Sequence, residues 1–156
     1  CRNEWKYSAD IEICLDAALP PVHCLPSEIN QTVLNLIVNA AHAIKDKLGD
    51  ASLEKGVIRV ESHLLDDWAE IRITDSGSGI PEEIRSRIFE PFFTTKGVGK
   101  GTGQGLAIAY SAIVEKHAGQ IDVESQVGVG TTFVLRIPVE AGAANEETSE
   151  SLAVSA

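Results

Sequence analysis

The chain has 156 residues, enough for one domain that buries roughly 68–70% of its unfolded surface. Its net charge of −10 comes from acidic residues spread along the chain without a Lys/Arg cluster, which argues against nucleic acid as a partner. No apolar run approaches the roughly 18 to 20 residues of a membrane span and no signal peptide opens the chain, so direct membrane contact is not expected and a cytoplasmic location is. Cys1, Cys14 and Cys24 lack metal spacing and read as free thiols in a reducing compartment. The chain opens on Cys1 and contains no Met, so it reads as a piece of a longer protein, either membrane-anchored or soluble.

Apolar alternation at Tyr7, Ala9, Ile11, Ile13 and Leu15 predicts a half-buried strand. Pro20, Pro21 and Pro26 punctuate the next stretch, with a candidate short strand over 22–25. Ser27 opens a predicted helix over 28–47, whose Ile29, Val33, Leu36, Ile37, Ala40 and Ile44 have helical spacing and which Gly49-Asp50 ends. Residues 57–65 and 68–74, joined by Asp66-Asp67, read as a hairpin. Pro81 suits the first turn of a short helix over 81–88. Residues 90–103 are rich in Gly, Thr and Lys without periodicity and read as a mobile loop. A second long helix is predicted over 104–118, with Leu106, Ala109, Ile113 and His117 on one face and Gly119 as its stop. Residues 120–126 and 131–139 close the fold as a hairpin around Gly128-Val129-Gly130. The folded domain is expected over 1–140, and 141–156, poor in residues to bury, as a flexible acidic tail or linker. This order predicts a mixed sheet with helices on one face.

Asn35, Asn39 and His42 lie on one stripe of the first helix. Asn is a poor mid-helix residue, so two on one stripe suggest use, although a solvated stripe has the same spacing. A neutral Asn carbonyl suits Mg²⁺ that takes its other ligands from water and phosphate. Asp75 ends a strand on the side of Ala69, Ile71 and Ile73, so its carboxylate should face the core. There it either caps the turn before Gly77 or accepts from a donor such as the amine of adenine. Gly77 and Gly79 allow close backbone approach. Gly101-Thr102-Gly103-Gln104-Gly105 opens into a helix, whose N–H groups and dipole favour an anion, yet it lacks the Gly-Lys-[Ser/Thr] ending of a P-loop. Lys96 and Lys100 lie in the adjoining loop within reach of phosphate, or simply solubilise it. Phe89, Phe92 and Phe93 suit hinge packing better than base stacking. His23, His63 and His117 lack a zinc pattern and read as structural or surface residues.

Together these runs resemble the catalytic and ATP-binding domain of bacterial two-component sensor histidine kinases, of the GHKL group with the Bergerat fold. Asn35-Leu-Ile-Val-Asn39-Ala40 matches the N box, Asp75-Ser-Gly77-Ser-Gly79 the first glycine box, and Phe89-Glu-Pro-Phe-Phe93 the F box. Gly101 to Leu106 matches the second glycine box, and Gly128-Val-Gly130-Thr131-Thr132-Phe133 the last glycine-rich run. The resemblance implies an α+β, two-layer α/β sandwich with a mixed, mostly antiparallel sheet covered on one face by three helices. It implies Mg²⁺ at Asn39, Asn35 toward the phosphates, and Asp75 on the adenine amine with Thr131 helping through water. It implies phosphates held by Gly101, Thr102, Gly103, Gln104, Gly105 and Leu106 under a lid over 90–103, with Lys96 and Lys100 supplying charge. His42, Gly77, Gly79, Ile80, Phe93 and Thr95 complete the implied nucleotide contacts. Asn35, Asn39 and Lys96 would be the catalytic set.

Relatives that hydrolyse ATP carry a Glu as general base where this chain has Asn35, which takes no proton at neutral pH. Nor does any histidine stand in the phosphoacceptor context His-Glu-x-x-x-Pro: His42 precedes Ala43-Ile44, and His63 precedes Leu64-Leu65. The expected activity is therefore a protein-histidine kinase domain that binds Mg²⁺–ATP and donates its γ-phosphate to a histidine outside this chain. The expected partners are the dimerisation and histidine-phosphotransfer domain of the same kinase and, indirectly, a response-regulator receiver domain. The rival readings are a self-sufficient GHKL ATPase and a degenerate nucleotide-binding scaffold.

Overall fold

The computed structural model describes residues 8–49, 52–95 and 102–139. In chain order the elements are β1 (Ala9–Leu15), α1 (Pro26–Leu48), β2 (Gly56–Leu65), β3 (Trp68–Asp75) and α2 (Glu82–Arg85). Then come α3 (Gly105–Tyr110), continued by a π-helical turn (Ser111–Glu115), β4 (Gln120–Gln126) and β5 (Gly130–Pro138). The five strands form one sheet in the order β1-β2-β3-β5-β4. β1 and β2 are parallel, because α1 carries the chain back between them, and the other three pairs are antiparallel. This is the α+β architecture expected from the sequence.

Strand alternation divides the sheet into two faces. Ile58, Ile73, Phe133, Leu135 and Ile137 point to the helical side and are buried with Leu36, Ala40, Ile44 and Ile113. Each fully buried Leu or Ile contributes up to about 1.5–3 kcal/mol relative to an exposed one. The opposite face is tiled by charge. Glu70 is buried there, accepting from Arg136 Nε at 2.8 Å and Arg72 Nη1 at 3.4 Å, while Arg136 also reaches Asp122 at 2.6 Å. The hydrogen bond to Glu70 is the largest cause of the raised Arg136 pKa.

Pro26 occupies the first turn of α1, where its absent N–H costs nothing, and Lys45 and Lys47 complement the dipole at the other end. The N-cap, Leu25, has no side-chain cap of its own. Instead its N–H donates to His117 Nε2 at 2.9 Å, and the Nδ1 of the same ring pairs with the Ala112 carbonyl at 2.5 Å. His117 is thus a buried strut between α1 and the end of the π-helical turn, in keeping with its structural reading.

Four local features differ from expectation by more than a residue. Residues 22–25 form no strand, because the prolines leave no ladder partner there. The first helix starts at Pro26 rather than past Ser27. The short helix ends at Arg85 and passes into turns through Phe89. The second long helix changes to π geometry at Ser111, where Lys116 N–H bonds the Ser111 carbonyl at 3.0 Å. Tyr7 and the expected tail over 141–156 lie outside the described residues.

Candidate nucleotide site

The middle of α1 presents Asn35, Asn39 and His42, all half-buried, on the stripe that helical spacing requires. Asn35 faces the start of α3, with Nδ2 3.4 Å from the Gly105 carbonyl, and its Oδ1 accepts from Gln31 Nε2 at 2.8 Å. The N-terminus of α3 therefore abuts the Asn stripe, although the two are 70 residues apart in the chain.

Asp75 ends β3 on the helical face and is 6% exposed. Gly77 N–H donates to its Oδ1 at 2.8 Å, and the backbone of Thr131, its register partner on β5, donates as well. Burial pushes its pKa up, opposed by those two backbone donors and, more weakly, by the Lys47 ammonium. A carboxylate offers about four lone-pair positions, so two backbone donors leave room for another.

The turn after Asp75 is docked onto α1. Ser78 N–H donates to the Ala43 carbonyl at 3.1 Å, and Lys47 Nζ to the Ser76 carbonyl at 2.9 Å. A Cβ on Gly77 would stand 2.7 Å from Ala43, so only glycine permits this approach. On the far side Gly128 N–H donates to the Ser78 carbonyl at 2.8 Å, and Gly79 packs on Gln126. Ile80 is half-buried, packed against the core, and its N–H donates to Ser125 Oγ at 2.7 Å.

Phe89 anchors the next segment between Tyr110 and Phe133, with ring centroids at 5.8 and 6.4 Å. Arg87 lies over the ring of half-buried Phe93 at 4.8 Å. Phe89 and Phe93 pack against the core, as the hinge-packing reading expects, whereas Phe92 is 71% exposed and does not. Thr95, Thr102 and Gln104 are exposed, whereas Leu106 packs on the core. Lys96, Lys100 and Gly101 lie outside the described residues.

The structure thus joins Asn35 to Gly105, Asp75 to Gly77 and Thr131, and Gly103 to the Phe92 backbone. Sequence reasoning passed over three neighbours: Ala43, Ser125 and Arg85. Ser125 did leave a signal, as a polar residue in alternation with Ile121 and Val123 on the apolar side of β4. Among the described residues, no group of three or more His, Cys, Asp or Glu could hold a metal. A cation here would depend on amide, water and phosphate oxygens, as Mg²⁺ commonly does.

Residues 24–141 match the family described as histidine kinase-, DNA gyrase B- and HSP90-like ATPase. The chain belongs to that family. Sensor histidine kinase ZraS of Escherichia coli strain K12 is 42% identical over 121 residues, covering 78% of this chain and 24% of ZraS. Sporulation kinase E of Bacillus subtilis strain 168 is 37% identical over 133 residues, covering 85% of this chain and 16% of the kinase. The chain thus spans about a quarter or less of these relatives. Among solved structures, the nucleotide-free catalytic domain of histidine kinase ThkA superposes with a TM-score of 0.67 at 34% identity, covering 83% of this chain and 80% of that one. Full-length ShkA in complex with AMPPNP gives 0.68 at 26% identity, covering 85% of this chain and 26% of ShkA. In fold and family this is a histidine kinase catalytic domain.

Proposed function

We propose that the domain binds Mg²⁺–ATP between α1, the 76–80 turn and the N-terminus of α3, and donates the γ-phosphate to a histidine on a separate dimerisation domain. The observation that carries this reading is Asp75: a buried carboxylate with spare acceptor capacity, held at the end of β3 by the Gly77 backbone donor. Adenine supplies the donor it needs in its exocyclic amine, and Thr131 stands beside it to reach the base through water. A guanine would place a carbonyl there and be repelled.

From the base the triphosphate would run past Asn39 and Asn35 to the start of α3, where helix N–H groups favour anionic oxygen. Asn39 is the residue to hold Mg²⁺, which when bound offsets charge developing on the transferred phosphoryl group. Lys96, Lys100 and the 90–103 segment would close over the phosphates. Asn35 takes no proton, so water is not activated and the phosphoryl group waits for an imidazole nucleophile. Catalysis is then positioning and charge neutralisation, without a covalent intermediate on this domain. A cytoplasmic domain that meets its dimerisation domain, and through it a receiver domain, fits this division of labour. Among the described residues no helix is long and apolar enough to cross a membrane.

The test is transfer in trans. The chain is mixed with labelled ATP, Mg²⁺ and a dimerisation domain bearing a His-Glu-x-x-x-Pro helix. Acid-labile label on that domain, lost in the His→Ala variant, is the expected result. Steady release of inorganic phosphate without transfer would replace this reading with the self-sufficient ATPase.

A further inference from the structure

Ser125 makes more polar contacts at the nucleotide cleft than its place on an edge strand requires. Its Oγ accepts from Ile80 N–H at 2.7 Å, and stands 3.1 Å from the Gly130 carbonyl and 2.8 Å from Thr131 Oγ1. Its own carbonyl receives Arg85 Nη2 at 2.6 Å, which pins the backbone beneath it. One hydroxyl therefore links the turn after Asp75 to the strand that carries Thr131.

The proton count gives this link a direction. Ser125 has a single hydroxyl proton, and the Ile80 amide already donates into its oxygen. If that proton goes to the Gly130 carbonyl, Thr131 must give its own proton to Ser125 and presents only lone pairs. If it goes to Thr131 Oγ1, the Thr131 proton is released toward the cleft. The ring nitrogen next to the amine of adenine is an acceptor, and a water that gives one proton to it and the other to the Asp75 carboxylate must accept from Thr131, so only the second arrangement suits adenine. The guanine-type edge carries a proton at that nitrogen and suits the first.

We propose that Ser125 is a positioning residue of the nucleotide site, which holds the Thr131 hydroxyl and the Ile80 amide in register and turns the Thr131 proton toward the adenine edge. It acts through Thr131 and touches no ligand itself. The inference rests on the domain being a nucleotide binder.

The test compares Ser125→Thr, which keeps the hydroxyl, with Ser125→Val, which is isosteric with that Thr and removes it. Each is titrated with Mg²⁺–ATP and with Mg²⁺–inosine triphosphate, which carries the guanine-type proton and no amine. Wild type and Ser125→Thr should prefer ATP equally. Ser125→Val should lose about fivefold for ATP, the size of one net hydrogen bond, and stay within about twofold for inosine triphosphate. In a Thr131→Val background Ser125→Val should add nothing further, because its route is already cut. Ser125→Ala, which removes the hydroxyl without bulk, is measured alongside, so a Val variant that unfolds leaves the comparison intact. Equal losses for both nucleotides, additive losses with Thr131→Val, or no loss would overturn the proposal while wild-type binding upholds the site. A wild-type chain that binds neither nucleotide would remove both.

Discussion

Phe92 and Gly103 are joined backbone to backbone: Phe92 N–H donates to the Gly103 carbonyl at 2.9 Å, with both residues in the left-handed region at φ 65° and 64°. This pair closes the base of the segment proposed as the lid. Phe92 is a non-glycine residue at positive φ and 71% exposed, and the hydrogen bond to Gly103 accompanies that conformation.

Gly103→Ala should break that closure. A Cβ there would stand 2.5 Å from the Phe92 carbonyl carbon, on top of the cost of an unfavourable φ. We expect a loss of about 1–3 kcal/mol in thermal or urea unfolding, or the same strain relieved by opening the lid base and weakening ATP binding. A variant unchanged in both stability and affinity would show that the pair does not constrain the lid.

Asp75→Asn should weaken Mg²⁺–ATP binding by roughly tenfold to a hundredfold, the loss of a hydrogen bond to a charged acceptor worth about 1.5–3 kcal/mol. Titration calorimetry on the two proteins measures this directly. Equal affinities would take Asp75 out of the base-binding role.

The raised pKa of Asp75 sets a pH dependence. A carboxyl whose folded pKa lies above its ordinary 3.8 keeps its proton to higher pH in the folded chain than in the unfolded one. For the nucleotide-free domain this group therefore favours folding most at low pH, and that contribution fades as pH rises through the folded value. Binding runs the opposite way, because the adenine amine needs the ionised carboxylate. ATP affinity should fall as pH is lowered from neutral toward that raised value, with a smaller fall in Asp75→Asn. Parallel pH profiles for the two proteins would contradict this.

Thr32 is fully buried in α1, and its Oγ1 has no hydrogen-bond partner. Thr32→Val keeps the shape and removes the orphaned hydroxyl. A stability gain of about 1 kcal/mol is expected, read as a raised melting temperature with ATP affinity unchanged. A loss of stability would mean that the hydroxyl is satisfied in solution.

What could be read from the sequence depended on the range of the interactions involved. Strand alternation placed Asp75 on the helical face beside Ile71 and Ile73, and helical spacing put Asn35 and Asn39 on one stripe, because both patterns are local. Sequence reading did not find the π-helical turn at Ser111, whose residues look like ordinary helix. Nor did it find Ser125, Arg85 and Ala43 around the 76–80 turn. Those contacts join residues 35 to 45 positions apart, and no periodicity encodes them. Capping at Leu25 by a ring 92 residues away is of the same kind.

The central claim, ATP binding without turnover by this domain, is tested most directly by calorimetric titration of Mg²⁺–ATP into the isolated chain. Injection heats that saturate and return to baseline after each addition are the predicted result. Heat that persists after every injection, as continuing hydrolysis would produce, contradicts it.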